Sequence, residues 1–337
     1  MERFNPNAPL ELIFDYIRIR FPTTEVKYVI EHILQLKLSY FLHEDYGFYS
    51  YSEHYALGDI FVLCSQELNK GILVELKGRG CRQFEAYLLA QERSWYEFFM
   101  DALSAGGVMK RLDLAINDRT GILNIPLLTE KCRQEECISV FRSFKSYRSG
   151  ELVRKDEKEC MGNTLYIGSL QSEVYFCIYE KDYEQYKKNH IPISEAEVKN
   201  RFEIRLKNER AYYAVRDLLV FDNPEQTAFK IINRYIRFVD RDDNRPRCDW
   251  KLNDEWAWFI GNHRERLKLT TKPEPYTYER TLNWLARQVA PTLKVALKLD
   301  EINQTQTVNT LLEHAKLTDK HRQILKQQSA NIKDVIV

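Results

Sequence analysis

Apolar and polar side chains alternate through Tyr16, Ile17, Arg18, Ile19, Arg20 and Phe21, a period of two that predicts a half-buried strand. Thr23 and Thr24 then precede helical spacing through Val26, Val29, Ile30, Ile33 and Leu34. Short strand-like runs follow at Tyr46 to Ser52, Ile60 to Leu63 and Gly71 to Lys77, the last ending in the turn signal Gly78-Arg79-Gly80. Gln83 to Ala102 reads as one long amphipathic helix, stopped by Gly106-Gly107, and Met109 to Ile116 as a strand. That order recurs loosely. Thr164 to Ile167 and Val174 to Tyr179 form a predicted hairpin, Lys181 to Lys188 a polar helix, Arg201 to Lys207 a strand, and Glu209 to Leu219 a helix. From Asn223 onward the pattern is helical, punctuated by Pro224, Pro246, Pro273, Pro275 and Pro291. Arg280 to Lys298 carries Leu282, Leu285, Val289, Leu293 and Leu297 on one face, and Leu311 to Gln328 is a charged helix. These elements predict an α+β fold with a largely antiparallel sheet of the split βαβ kind, whose repeated order admits a duplication. The expected division is one domain over residues 1–222 and a helical C-terminal part over 223–337.

Three predicted strands each carry an acid between apolar neighbours: Glu75, Asp113 and Glu203. Strand side chains alternate, so these acids share faces with Leu73 and Lys77, Arg111 and Ala115, and Arg201 and Arg205 respectively. A solvent-facing sheet surface accounts for any one of them. Three together point to a site, and converging carboxylates with oxygen ligands alone suit Mg²⁺ or Mn²⁺. Tyr175, Cys177 and Tyr179 fall on one face of their strand, with Lys181 at its end. A phenol needs a neighbouring cation or metal to favour its phenolate before it attacks; packing is the plain alternative.

Composition narrows the function classes. Fifty basic residues against 49 acidic ones leave a net charge of +1, so any nucleic-acid surface has to be a local patch. Aromatic and basic residues interleave at Phe229 to Phe238 and on through Arg241, Arg245, Arg247, Trp250, Lys251, Trp256, Trp258, His263, Arg264 and Arg266. This stretch is either a single-strand binder or a helix with a basic outer face. Seven cysteines without a C-x-x-C pair predict reduced thiols in the cytoplasm, and no apolar run reaches the roughly 18 residues of a membrane span. No phosphate-binding glycine loop and no His-x-His pair is present.

Four runs in this order resemble the Rep_trans family: Arg111 to Asp118, Thr164 to Ser169, Ile178 to Lys181 and Arg201 to Lys207. That family holds rolling-circle replication initiators of staphylococcal plasmids and MOB-T relaxases of Gram-positive conjugative transposons. Similarity to the latter extends over nearly the whole chain. The resemblance implies a site-specific nickase and strand transferase that cuts one strand at an origin of transfer or replication and stays linked to the 5′ phosphate. Residues 1–222 then become the catalytic domain and 223–337 a DNA-binding or supporting part. The family's I-Y-x-K tyrosine falls on Tyr179, with Tyr183 the runner-up. Its strand acids fall on Asp113 and Glu203, and more loosely Glu75, as metal ligands, while Lys181 or Arg205 steadies phosphate charge. Some of these relaxases begin with a helix-turn-helix module that has no counterpart ahead of the strand around Phe14 to Phe21. Origin recognition is then expected from the catalytic domain, the C-terminal helices or a partner. The implied partners are origin DNA, single-stranded or in a hairpin, together with a helicase or transfer accessory protein; oligomerisation is left open. The rival readings are a non-catalytic DNA-binding accessory factor and a metal-dependent phosphodiesterase that uses water.

Overall fold

Most of the period-two segments become strands, several of which end at a glycine or a capping side chain. The computed structural model describes residues 2–3, 8–67, 69–150, 160–261, 269–275, 282 and 285–337. Along the chain come β1 (Leu10–Phe21), β2 (Leu42–Glu44), β3 (Glu53–Leu57), β4 (Ile60–Cys64) and β5 (Ile72–Lys77). Helices α1 (Arg79–Ala90) and α2 (Trp95–Ser104) lead to β6 (Val108–Asp118), α3 (Ile125–Arg133) and β7 (Cys137–Ser139). Next are β8 (Phe144–Gly150), β9 (Cys160–Ile167), β10 (Val174–Glu180), α4 (Lys181–Asn189) and β11 (Asn200–Lys207). The chain continues through α5 (Asn208–Phe221), α6 (Pro224–Tyr235), β12 (Ile236–Asp240) and α7 (Asp254–Phe259). Towards its end come α8 (Ala290–Asn303), α9 (Thr307–His314) and α10 (Asp319–Ser329), followed by a single helical turn at Ile332–Val335.

Two compact units result, each assembled from separate stretches: residues 1–20 with 99–272, and 21–98 with 273–337. The division expected at 222/223 falls inside the first unit. There Asp222 ends α5 in the left-handed region, and the Asn223 side chain accepts from the Gln226 N–H to start α6.

The first unit holds an antiparallel sheet in the order β1-β6-β11-β10-β9-β8. One face is apolar: Leu112, Leu114, Ile116, Phe202, Ile204, Leu206, Phe176 and Ile178 are buried. Phe202 meets Phe176, Trp256 and Phe259, and Phe259 in turn meets Phe229, so α6 and α7 seal this side. Phe202→Ala is therefore expected to cost about 3–5 kcal/mol, read as a lower denaturant midpoint with an unchanged slope. At the end of β6, the Asp118 carboxylate accepts from the backbone N–H groups of Thr120, Gly121 and Leu123 and from the Asn200 amide. This fixes the turn that returns the chain into α3.

In the second unit β2-β3-β4-β5 form an antiparallel meander. The predicted strand at 46–52 is instead a loop, in which Tyr49 and Ser50 have positive φ and Tyr46 and Phe48 pack on His54. A second correction concerns the long helix at 83–102, which is two helices. Glu92 turns the chain with φ 55°, and Ser94 with Glu97 forms a capping box that starts α2 afresh. The C-terminal helix α10 is tied to this unit by Gln323 and Lys326 on the Ser39 carbonyl and by Gln327 on those of Tyr40 and Ala56. Among the described residues no helix is long and apolar enough to cross a membrane.

Candidate active site

The second face of the first unit's sheet is polar, and its register states which side chains meet. Arg205 lies opposite Asp113 on one side and Tyr175 on the other; Glu203 opposite Ala115 and Cys177; Arg201 opposite Asn117 and Tyr179. Directly opposed residues share a face, so the acids, arginines and tyrosines of β6, β11 and β10 form one surface.

The Tyr179 hydroxyl donates to Glu203 Oε1 at 2.8 Å. Lys181 Nζ stands 3.4 Å from that same hydroxyl and pairs with Glu184. The Arg205 guanidinium grips Glu203 Oε2 through Nε at 2.8 Å and Nη2 at 2.6 Å, and its Nε lies 3.8 Å from Asp113. Arg111 takes both Asp113 oxygens, at 2.9 and 2.7 Å, and stacks over the Tyr16 ring at 4.0 Å. Arg201 donates to Asn117 Oδ1 at 2.7 Å and to Asp15 at 2.8 Å, and comes within 4.0 Å of Glu203 Oε1.

These partners set the protonation states. Burial raises the Tyr179 phenol well above its ordinary value; Arg201 pulls it down, and Glu203 pushes it up again. The phenol is therefore neutral at physiological pH, with its hydroxyl aimed at Glu203. Burial pushes the Cys177 thiol up to about 12, so it stays protonated and does not compete as a nucleophile. Lys181 is lowered by burial first and by Arg201 second, with Glu184 opposing.

Burial also pushes Asp113 up to about 6, against the pull of Arg111 and Arg205 and with the push of Glu203. An unfolded aspartate titrates near 3.9, so the folded chain binds the extra proton between those values. Stability attached to this residue is complete below pH 4 and is lost as pH rises through about 6, on the order of 2–3 kcal/mol. Denaturation midpoints in chelator-containing buffer at pH 4.5 and 7.5 should fall less between the two for Asp113→Asn than for the parent chain.

Of the residues singled out in the sequence, Tyr179, Lys181, Arg205, Asp113 and Glu203 come together. Glu75 sits in the second unit, on β5, where Tyr49 Oη donates to it at 3.1 Å. Tyr183, on α4, packs against Gly162: a Cβ on that glycine would lie 2.8 Å from the Tyr183 Cβ. Sequence reading left out Asp15, Arg111, Asn117 and Arg201 as site members. The strand period did place Arg111 and Arg201 on the face of Asp113 and Glu203, and that signal identifies them.

The interleaved aromatic and basic stretch after 229 is largely consumed by the fold. Trp256 is core, Arg237 and Arg247 donate to backbone carbonyls, and Arg241 and Arg245 pair with Asp243 and Asp242. His263, Arg264 and Arg266 lie outside the described residues.

Comparison with known proteins places the chain in a lineage. The replication initiation factor family matches residues 107–312, and a rolling circle replication initiation protein N-terminal domain matches residues 11–101. A Bacillus subtilis (strain 168) protein assigned as DNA relaxase NicK is 41% identical over 331 residues, 98% of this chain and 93% of its own length. The chain belongs to the replication initiation factor family. The solved rolling circle replication initiator protein of Geobacillus stearothermophilus shares 25% identity with this family member. It covers 78% of this chain and 99% of its own at a TM-score of 0.66. Within this replication initiation factor, the 107–312 match takes in Asp113, Tyr179, Lys181, Arg201, Glu203 and Arg205, while Asp15 and Glu75 fall in the 11–101 match.

Proposed function

We propose that this chain is a site-specific single-strand DNA nickase and strand transferase, acting at an origin of replication or transfer. One observation carries the reading: a tyrosine hydroxyl donating to a carboxylate that is itself clamped by an arginine, on a face rich in further cations. The family membership supports it. Tyr179 Oη attacks phosphorus, its proton passes to Glu203, the P–O3′ bond breaks, and the departing 3′ oxygen takes up a proton. The 5′ phosphate is then held as a phosphotyrosine, which a 3′ hydroxyl reverses without ATP. Arg205, Arg201 and Lys181 are the cations positioned to offset charge on the phosphoryl oxygens. Arg111 holds Asp113 beside them.

The acids as arranged do not form a metal cage. Both Asp113 oxygens are taken by Arg111, both Glu203 oxygens are taken by Tyr179 and Arg205, and among the described residues no group of three His, Cys, Asp or Glu could hold a metal. The reaction above is therefore routed through side chains alone. Divalent metal, Mg²⁺ or Mn²⁺, held by Asp113 and Glu203 would require these carboxylates to exchange their arginine and tyrosine partners, and it stands as a separate proposal that chelation tests. Loss of nicking in EDTA with recovery on added Mn²⁺ supports it, and full activity in EDTA sinks it.

The function itself is tested with supercoiled origin plasmid. Relaxation, with protein left on the 5′ end after denaturation, is the expected result. A plasmid that stays supercoiled marks a binder, and relaxation without attached protein marks a hydrolase. DNA is the substrate partner in this proposal; a helicase or transfer accessory protein would act after the nick.

A further inference from the structure

The polar face continues past Tyr179 to the sheet edge. Tyr179 lies opposite Thr164, and Thr164 opposite Tyr147; in the neighbouring row Cys177 lies opposite Tyr166, and Tyr166 opposite Lys145. Tyr147 and Lys145 on edge strand β8 therefore share the face of the nucleophile, and Tyr147 stands in its row two strands away, about 10 Å. Tyr147 is 54% exposed, and its ring meets Tyr166 edge-to-face at 5.9 Å. Tyr166 is half-buried, with the Arg205 guanidinium 6.0 Å from its ring centroid; Lys145 is exposed.

Edge strands commonly carry charges that block pairing with other chains, which accounts for Lys145 and Arg148. It does not account for a large exposed ring in the row of the nucleophile. Rings that stack on bases, interleaved with cations that meet phosphates, are the means by which single strands are held without sequence readout.

We propose that Tyr147 and Tyr166, with Lys145, form a base-stacking subsite for the single strand flanking the bond that Tyr179 cuts. The subsite rests on the nicking function proposed above and deepens it. The path it defines runs from the arginine cluster across β10 and β9 to β8.

Fluorescence anisotropy with labelled oligo(dT) and the full chain tests the subsite separately from the chemistry. Tyr147→Ala is expected to weaken binding roughly tenfold, the scale of one lost base stack, while Tyr147→Phe binds within about twofold of the parent. Lys145→Ala should reduce the slope of log affinity on log salt by about 0.7. Tyr212, 44% exposed on α5, is the control, and Tyr212→Ala should bind as the parent does. Circular dichroism confirms that each variant is folded. Unchanged affinity in Tyr147→Ala, an equal loss in Tyr212→Ala, or no oligo(dT) binding by the parent chain would overturn the subsite. If the subsite variants behave as expected but no 5′-linked protein ever forms on origin DNA, the nicking function fails and the binding track stands.

Discussion

Tyr179→Phe should reduce nicking of origin DNA by about 10⁴-fold or more, the scale on which loss of a covalent nucleophile operates. It should leave DNA affinity within about twofold. The substitution removes one oxygen and keeps the ring, so the Arg205 clamp on Glu203 and the contacts of the Tyr179 ring are retained. What disappears is the only atom at this position that can bond to phosphorus. Labelled origin oligonucleotides resolved under denaturing conditions give both readouts, cleaved strand and protein-linked strand. Tyr183→Phe is the companion variant. Tyr183 packs against Gly162 on β9, and its loss should leave nicking near the parent rate. Normal nicking by Tyr179→Phe, or loss of nicking only in Tyr183→Phe, ends the assignment.

The period of two was enough to find β6, β10 and β11 and to put their acids and arginines on common faces. The site was therefore legible wherever strands were regular. Asp15 was hidden because β1 shifts register between Phe14 and Tyr16, which breaks the alternation from which a face is read. Fold class followed from the order of elements, and the structure bears it out. The two units did not follow from it, because each joins stretches distant in sequence and no composition shift marks where they separate. The basic and aromatic stretch after 229 illustrates the limit of counting residue types. Arg237, Arg241, Arg245 and Arg247 satisfy carbonyls and acids and Trp256 fills the core, whereas the exposed Lys145 and Tyr147 lie on the sheet face. The break between α1 and α2 was readable in retrospect as Ser94-Trp95-Tyr96-Glu97, a capping box inside an otherwise continuous helical period.

Glu203→Gln separates two roles for one carboxylate. As proton acceptor for Tyr179, Glu203 contributes the 10²–10⁴-fold typical of general-base catalysis, and the amide should lose about that much nicking. Gln fills the same volume, and its one acceptor oxygen can stay with Arg205 while its NH2 donates to the Tyr179 hydroxyl oxygen, so folding and DNA affinity should hold. The pH profile carries the distinction. Glu203 is one of the groups that push the phenol up, behind burial itself, so removing its charge brings the phenol closer to its ordinary range. Without a base, the variant must use the small ionised fraction, and its rate should climb about tenfold per pH unit between pH 7 and 9. The parent rate should be nearly flat there, because the phenol hands its proton directly to the Glu203 side chain it is hydrogen-bonded to. A metal-ligand role predicts something else: a deficit that shrinks as Mn²⁺ is raised and a profile parallel to that of the parent. Nicking rates for both proteins across pH and Mn²⁺ concentration therefore decide whether Glu203 holds the proton or the cation.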